Sequence, residues 1–345
     1  MRRIKVRVSR KRVAIWILAG IVLVLFCATV AGLIYYRKMI KELGVVQNEE
    51  FREFSRIYAY IAEDPDSKLT KKIYKEISEY AVENDCYVEL TGQNLSTSYS
   101  KADRFNMAIS SKVDGIIVEG DDSKEIKDLI DKAAGEGIPV VTVLSDCLGS
   151  SRKSFVALDN FRLGTEYGEK LIELASNDPY GSVLDCLILI DSDEKNYDDV
   201  IHTAIKEEVN GKNVDTVSQV VDISTPFTAQ EGVAGILDRY VDLPDVIVCL
   251  NDRTSDSVYE YIVERNLVGQ VTVLAYFDSD TIVKAIVKGS VKLTYATDAK
   301  FVAEQCVKAL NEYNDTGFVS EYFQSNYILI DRNNVSNHMP EDKDV

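Results

Sequence analysis

The chain has 345 residues, 46% hydrophobic and 28% charged, the composition of a folded protein with one large domain or two ordinary ones, so wholesale disorder is excluded. Its charge is uneven: residues 1–41 hold ten Lys/Arg and no acid, leaving 29 basic against 56 acidic residues in the remainder, a net −27. So acidic a body excludes nucleic acid as a partner, which requires basic surface.

Residues 1–12 carry Arg2, Arg3, Lys5, Arg7, Arg10, Lys11 and Arg12, and residues 13–36 carry no charge at all. An uncharged run of that length spans a hydrocarbon core as a helix. Only Arg37, Lys38 and Lys41 follow it, so the positive-inside bias predicts a cytoplasmic N-terminus, a transmembrane helix over 13–36 and an extracytoplasmic body. Trp16, Tyr35 and Tyr36 fit interfacial positions near its ends. A cleaved signal peptide is the competing reading, but its apolar region is normally ~7–15 residues, and no small-x-small cleavage site stands here. Phe26 is also bulky where a lipid-modified Cys27 requires a small neighbour. Residues 37–54 are polar and predict a stalk.

From residue 55 strands and helices alternate. Strand 56–62, helix 71–84, strand 87–90 and helix 102–111 lead to VDGIIVEG (113–120), whose apolar centre 116–118 is a strand buried on both faces. Ile126, Leu129, Ile130 and Ala133 lie at helical spacing, Gly135 and Gly137 stop that helix, and strand 140–144 follows Pro139. A helix between two such apolar strands implies a parallel βαβ unit. The pattern resumes with helix 162–175, strand 183–190, helix 197–208, strand 215–221, helix 230–240, strand 246–250, helix 255–265 and strand 271–276. Helix 281–288, strand 292–295, helix 301–313 and strand 327–330 close it, and residues 332–345 form a polar tail. About a dozen strands exceed one open sheet, so two α/β lobes with parallel sheets are expected. Ligands of such sheets sit beyond the carboxyl ends of the strands, which places Glu119-Gly120, Ser145-Asp146 and Leu158-Asp159-Asn160 at the mouth of a site.

Five cysteines fall outside 13–36, an odd number with no CxxC pair, so neither a disulfide framework nor a thiolate metal site is indicated. Four sit in apolar patterns as small hydrophobes; Cys147 lies in a predicted loop and is the one expected to be accessible. The two histidines, His202 and His338, have no partner spacing for zinc. DSDEKNYDD (191–199) lacks the sixth-position glycine and terminal glutamate of a calcium loop. No GxSxG, phosphate loop or GxGxxG is present. No cofactor, metal or catalytic residue is therefore expected, and the reading is of a non-enzyme.

The order VDGIIV, helix, IPVVTV and "DN" before a long helix resembles the ribose-type periplasmic binding proteins, the type I solute-binding fold shared with lactose-repressor-like effector domains. VIVCLNDRTSDSVYEYI (247–263) and VLAYFDSDTIVKAIVKGSVKLTYATD (273–298) continue that resemblance, which covers about 55–331. A regulator of that kind would begin with a helix-turn-helix, and here the apolar run takes its place. The resemblance implies two Rossmann-like lobes, an N-lobe of about 55–158 and 298–326 and a C-lobe of about 159–297 and 327–331. Three crossings join them, near Asp159-Asn160, Thr297-Asp298 and residue 326, and a ligand is trapped as the lobes close about that hinge.

The resemblance also implies site residues. Asn251 and Asp278 match positions that bond ligand hydroxyls, and Phe277 matches an apolar ring face; read alone, both polar residues are better explained as helix caps. Elsewhere the chain departs from the family pattern. Loop 63–70 has no aromatic residue, Glu119 replaces an asparagine, and Leu144-Ser145 replaces an aspartate–arginine clamp with Asp146 one place beyond. Asp198-Asp199 stand where an arginine is expected. With the clamp gone, Glu63, Asp64, Glu119, Asp146, Asp191, Asp193 and Asp278 gather at strand ends, so either a cationic or hydroxyl-rich ligand such as an amino sugar neutralises them or they are solvated loop acids. The implied partners are a sugar or amino sugar and the membrane, with either an ABC-type sugar importer or a sensor such as a histidine kinase.

Overall fold

A computed structural model describes residues 53–93, 99–191 and 197–339 together with Thr29, with the backbone alone at 197–199. All elements below belong to the unit that begins at Phe54. The membrane span expected over 13–36 lies, but for Thr29, outside the described residues, as do most of the stalk and the end of the tail; among the described residues no helix is long and apolar enough to cross a membrane.

The first lobe runs β1 (Arg56–Ile61), α1 (Lys68–Glu83), β2 (Cys86–Leu90), α2 (Lys101–Ser110), β3 (Gly115–Val118), α3 (Lys124–Gly135), β4 (Val140–Leu144) and β5 (Ser154–Leu158). The chain then builds a second lobe: α4 (Asn160–Ser176), β6 (Leu184–Asp191), α5 (Tyr197–Val209), β7 (Val214–Val221), α6 (Pro226–Leu237), β8 (Val246–Cys249), α7 (Asp252–Glu264), β9 (Thr272–Tyr276), α8 (Asp280–Lys288) and β10 (Leu293–Thr297). It returns to the first lobe with α9 (Ala299–Thr316) and β11 (Tyr322–Ser325), and ends in the second with β12 (Tyr327–Asp331). The two six-stranded sheets have orders β11-β5-β4-β3-β1-β2 and β12-β10-β9-β8-β6-β7. Every strand pair is parallel except β10–β12. The lobes thus repeat one winding, and they differ in the direction of the last strand.

The sequence patterns cause this layering. β3, β4, β8 and β10 are buried at every position, because each sheet carries helices on both faces. Four apolar clusters result, two per lobe. Val302, Val307 and Leu310 of α9 join Ile73 and Ile77 of α1 on one face of the first sheet, and α2 and α3 cover the other. Tyr167, Leu171, Ile201 and Ile205 of α4 and α5 cover one face of the second sheet, with α6, α7 and α8 opposite. The α4–α5 contact is close because Gly164 faces α5: a Cβ there would stand 2.4 Å from the carbonyl oxygen of Ile201.

Three differences from the expected elements stand out. β11 was not anticipated, and it supplies an edge strand to the first sheet. α6 begins at Pro226, not 230, because Thr225 caps it and proline is suited to the first turn. Cys147, expected to be accessible, is 1% exposed, and Cys86, Cys147, Cys186, Cys249 and Cys306 are all free and buried. Burial pushes the Cys147 thiol upward, with Ser150 opposing, which disfavours the reactive thiolate.

Candidate functional site

The carboxyl ends of both sheets open onto the cleft between the lobes, where the three chain crossings also lie. Asp159 caps α4 by accepting from the Arg162 N–H at 3.0 Å, and Asp298 caps α9 by accepting from the Phe301 N–H at 3.0 Å. The Asp159 N–H donates to the Ser325 carbonyl at 3.0 Å, and the Tyr327 hydroxyl donates to Asn160 Oδ1 at 2.7 Å. The first crossing is thereby bonded to the third. Thr297, at the second, is buried.

A cavity of about 330 Å³ lies between the lobes. The first lobe supplies Glu63, Leu69, Leu144 and Leu158; the second supplies Asp191, Asn251, Asp252, Tyr276 and Phe277, and Tyr327 comes from the last crossing. Leu144 ends β4 and Phe277 directly follows the equivalent strand β9, and both take left-handed backbone conformations, with φ of 61° and 71°. For bulky residues that conformation is costly and persists only where the surroundings impose it. At Phe277 they do so through two hydrogen bonds: its N–H donates to the Tyr295 carbonyl at 2.8 Å and its carbonyl accepts from the Thr294 hydroxyl at 2.8 Å. The turn sets the ring against the cavity at 5% exposure.

Asn251 fulfils the cap role that the sequence allowed and also stands in the lining of the cavity. Its Oδ1 accepts from the Thr254 N–H at 2.9 Å, capping α7, while its Nδ2 is buried with no hydrogen-bond partner in a side chain that lines the cavity. A buried amide donor without a partner is costly unless an acceptor meets it, and this one belongs to a side chain of the cavity lining. Burial pushes the neighbouring Asp252 carboxyl upward, with Lys68 and Arg253 opposing.

A larger cavity of about 790 Å³ adjoins the first and shares Glu63, Leu144 and Leu158 with it. Glu119, Asp146, Asp159 and Asn160 line it, with Arg152, Phe155, Phe161 and Tyr322. Gly120 permits the close approach of the loops after β3 and β4, since a Cβ there would stand 2.6 Å from the Ser145 carbonyl oxygen. Glu119 is 9% exposed and accepts from the Tyr60 hydroxyl and the Glu63 N–H, each at 2.9 Å. Burial holds its carboxyl above the usual range despite those bonds and nearby Lys101. Arg104, 4% exposed, donates to the Glu63 carbonyl at 3.2 Å; burial lowers its pKa, while Glu63, Glu119 and Asp64 oppose that shift.

The gathering of uncompensated carboxylates expected from sequence is corrected. Asp146 is clasped by Arg152 through Nε–Oδ1 (2.5 Å) and Nη2–Oδ2 (2.7 Å), so an aspartate–arginine pair does line the cleft, drawn from a residue six places downstream. Lys101, 9% exposed in its side chain, bridges Glu63 at 2.6 Å and Asp121 at 2.5 Å. The Asp121 carboxyl is raised by burial, but bonds from Lys101 and Ser123 outweigh this and hold it below its usual value. Asp278, expected to accept from a ligand, instead accepts from Lys72 of α1 (2.7 Å to Oδ1), and it lines neither cavity. Asp64 pairs with Arg253 at 3.4 Å and also lines neither. The side chain of Asp199 lies outside the described residues, as does Asp193.

Lys72–Asp278, Lys68–Asp256 and Asp64–Arg253 all join the first lobe to the second. Lys72 also lies 5.6 Å from the centre of the Phe277 ring. The lobes are therefore closed on one another, latched along one flank. Sequence reasoning missed these cations and the cleft aromatics Phe155, Phe161, Tyr276, Tyr322 and Tyr327. Only the strand-end positions of Tyr276 and Tyr327 could have signalled them.

Comparison with known proteins adds to this geometry. The chain is similar to GanP, a glucose-galactose binding protein from Geobacillus stearothermophilus, at 19% identity and a TM-score of 0.69, covering 81% of this chain and 98% of that one. It is similar to an ABC transporter solute binding protein from Burkholderia graminis C4D1M in complex with D-arabinose, at 15% identity and a TM-score of 0.72, covering 84% and 99%. The XylFII-LytSN complex is a further likeness, at 19% identity and a TM-score of 0.68, covering 81% and 98%. At these identities the likeness is one of fold. No match was found among curated proteins. Residues 58–316 match the family described as periplasmic binding protein domain; with the two-lobed fold and its interlobe cleft, the chain belongs to that family.

Proposed function

We propose that the protein is a membrane-anchored, extracytoplasmic solute-binding protein that traps a small carbohydrate-like ligand between its lobes for an ABC-type sugar importer. It binds its ligand without transforming it. The observation that carries this reading is the interlobe cavity of about 330 Å³, where the unpartnered Asn251 amide shares the lining with Tyr276, Phe277 and Tyr327. Apolar ring faces with a few convergent polar groups suit a sugar, whose ring has apolar faces and a polar rim. The solved neighbours that bind glucose, galactose or D-arabinose support the class. Because Glu63, Asp121 and Asp146 are paired with cations of the chain, a neutral saccharide fits better than an amino sugar. The anchor rests on the uncharged run at 13–36 and the cations ahead of it. Thermal melting of the full chain with D-glucose, D-galactose, D-arabinose and glucosamine tests the proposal: a neutral sugar raises Tm by mass action. No shift with any sugar at millimolar concentration rejects it.

A second reading is favoured by one observation, the likeness to XylFII in the XylFII-LytSN complex. Here the same closure is sensed by a membrane partner such as a histidine kinase. Crosslinking of the full chain in its native membrane separates the two, through capture of a permease or of a sensor.

A further inference from the structure

We propose that the larger cavity is a second saccharide subsite, so that the ligand is a neutral oligosaccharide of at least two rings. This rests on the carbohydrate reading of the cleft and extends it to ligand size. The smaller cavity already lies within the range of ~300–1,000 Å³ usual for small-ligand sites, so the adjoining 790 Å³ is space that one ring leaves unfilled. Its lining has the chemistry of a sugar platform. Phe155 and Tyr322 pack edge to face at 5.8 Å, and Arg152 lies 5.7 Å from the Phe155 ring centre. Phe161, on α4, brings a third ring from the opposite lobe.

Phe161 is 55% exposed, Tyr322 49% and Leu148 72%. Large apolar groups clustered at the rim of a cavity mark a surface that is covered in use. The same lining holds groups that can bond hydroxyls: the Asp146–Arg152 pair, Glu119 and Gln324. Asp122 and Asp159 add negative charge to the lining, which repels uronic acids and other anionic sugars. None of the six residues of the interlobe latch lines this cavity. The lobes therefore stay latched on one flank while a second ring occupies the other.

Isothermal titration of the full chain with paired probes tests the inference: D-glucose against maltose and cellobiose, D-galactose against lactose, and D-xylose against xylobiose. At least one disaccharide is expected to bind tenfold or more tightly than its own monosaccharide. In the Phe161→Ala/Tyr322→Ala variant that ratio falls toward one. Both side chains are about half exposed, so the fold survives their loss, which an unchanged melting curve without sugar checks. If every monosaccharide binds as tightly as its disaccharide, or the ratio persists in the double variant, the second subsite is overturned while the sugar-binding reading stands. Binding of neither size class overturns both.

Discussion

Replacing Asn251 by aspartate keeps the oxygen that caps α7 and removes the amide donor that faces the cavity. Asn251→Asp is therefore expected to melt near the parent protein yet bind sugar at least tenfold more weakly. Asn251→Ala loses both functions and also costs about 1 kcal/mol of stability, as helix caps do. Equal sugar affinity in the parent and Asn251→Asp, measured by titration, would show that the residue is only a cap. Glu119 makes a different case, because its carboxyl is held above the usual value of 4.5 chiefly by burial. A raised folded-state pKa favours the protonated acid, so this contribution is present below pH ~4.5 and is lost as pH rises through the folded value. Asp121 has the opposite sign: its lowered pKa stabilises above pH ~4 and that stability fades as pH falls. Glu119→Gln is expected to gain in Tm relative to the parent between pH 5 and 8, and a pH-independent difference would reject this assignment. At this scale the sequence was partly legible. Asn251 and Phe277 were placed by the segments around them, and Glu119 by its position after an apolar strand. The cations were not, since Lys72 and Asp278 meet across 206 residues and lysine in a helix reads as a solvated face.

Among the elements, α1 is the one that joins the lobes: its first turns carry Lys68 and Lys72 to Asp256 and Asp278, and α7 returns Arg253 to Asp64. Half-exposed pairs of this kind contribute ~0.2–1 kcal/mol each. Together they shift the balance between open and closed lobes by roughly tenfold, since ~1.4 kcal/mol is a factor of ten. Without ligand, the Lys68→Ala/Lys72→Ala variant is expected to show a larger radius of gyration by small-angle scattering than the parent at low salt. Raising NaCl to 0.5 M moves the parent the same way through screening. Identical scattering in all three conditions would mean that packing, not charge, holds the cleft shut. Most elements were readable because strands buried on both faces leave unbroken apolar runs, as in Val246–Cys249. β11, YFQS, has no such run: it is an edge strand, and only one of its four residues is buried. The true start of α6 was hidden because Thr225-Pro226 reads as a turn until the Thr225 cap to Thr228 is seen.

At the scale of the whole molecule, neither lobe is a continuous stretch of chain. The first sheet is completed by β11, and one of its two apolar faces by α9, from which Val302, Ala303, Cys306, Val307, Ala309 and Leu310 enter the core beside Tyr58, Ile73 and Ile77. Buried apolar side chains are worth about 1.5–3 kcal/mol each, so those larger members of α9 together approach the whole net stability of a typical domain, about 5–15 kcal/mol. The second sheet likewise takes its last strand, β12, from beyond the third crossing, where Ile330 is fully buried. The first lobe thus needs chain that is made after most of the second, the second needs chain that is made after the first is complete, and the three crossings bind them into one folding problem. A chain ended after Thr297 retains both sheets' central strands but lacks α9, β11 and β12. It is expected to give no cooperative thermal transition by circular dichroism and to bind no sugar, whereas the full chain melts in one transition that moves upward with ligand. A cooperative melt of the truncated chain would show that the first lobe folds without α9. Closure would then be the docking of two finished domains, and the ion pairs along α1 would carry most of what holds them together.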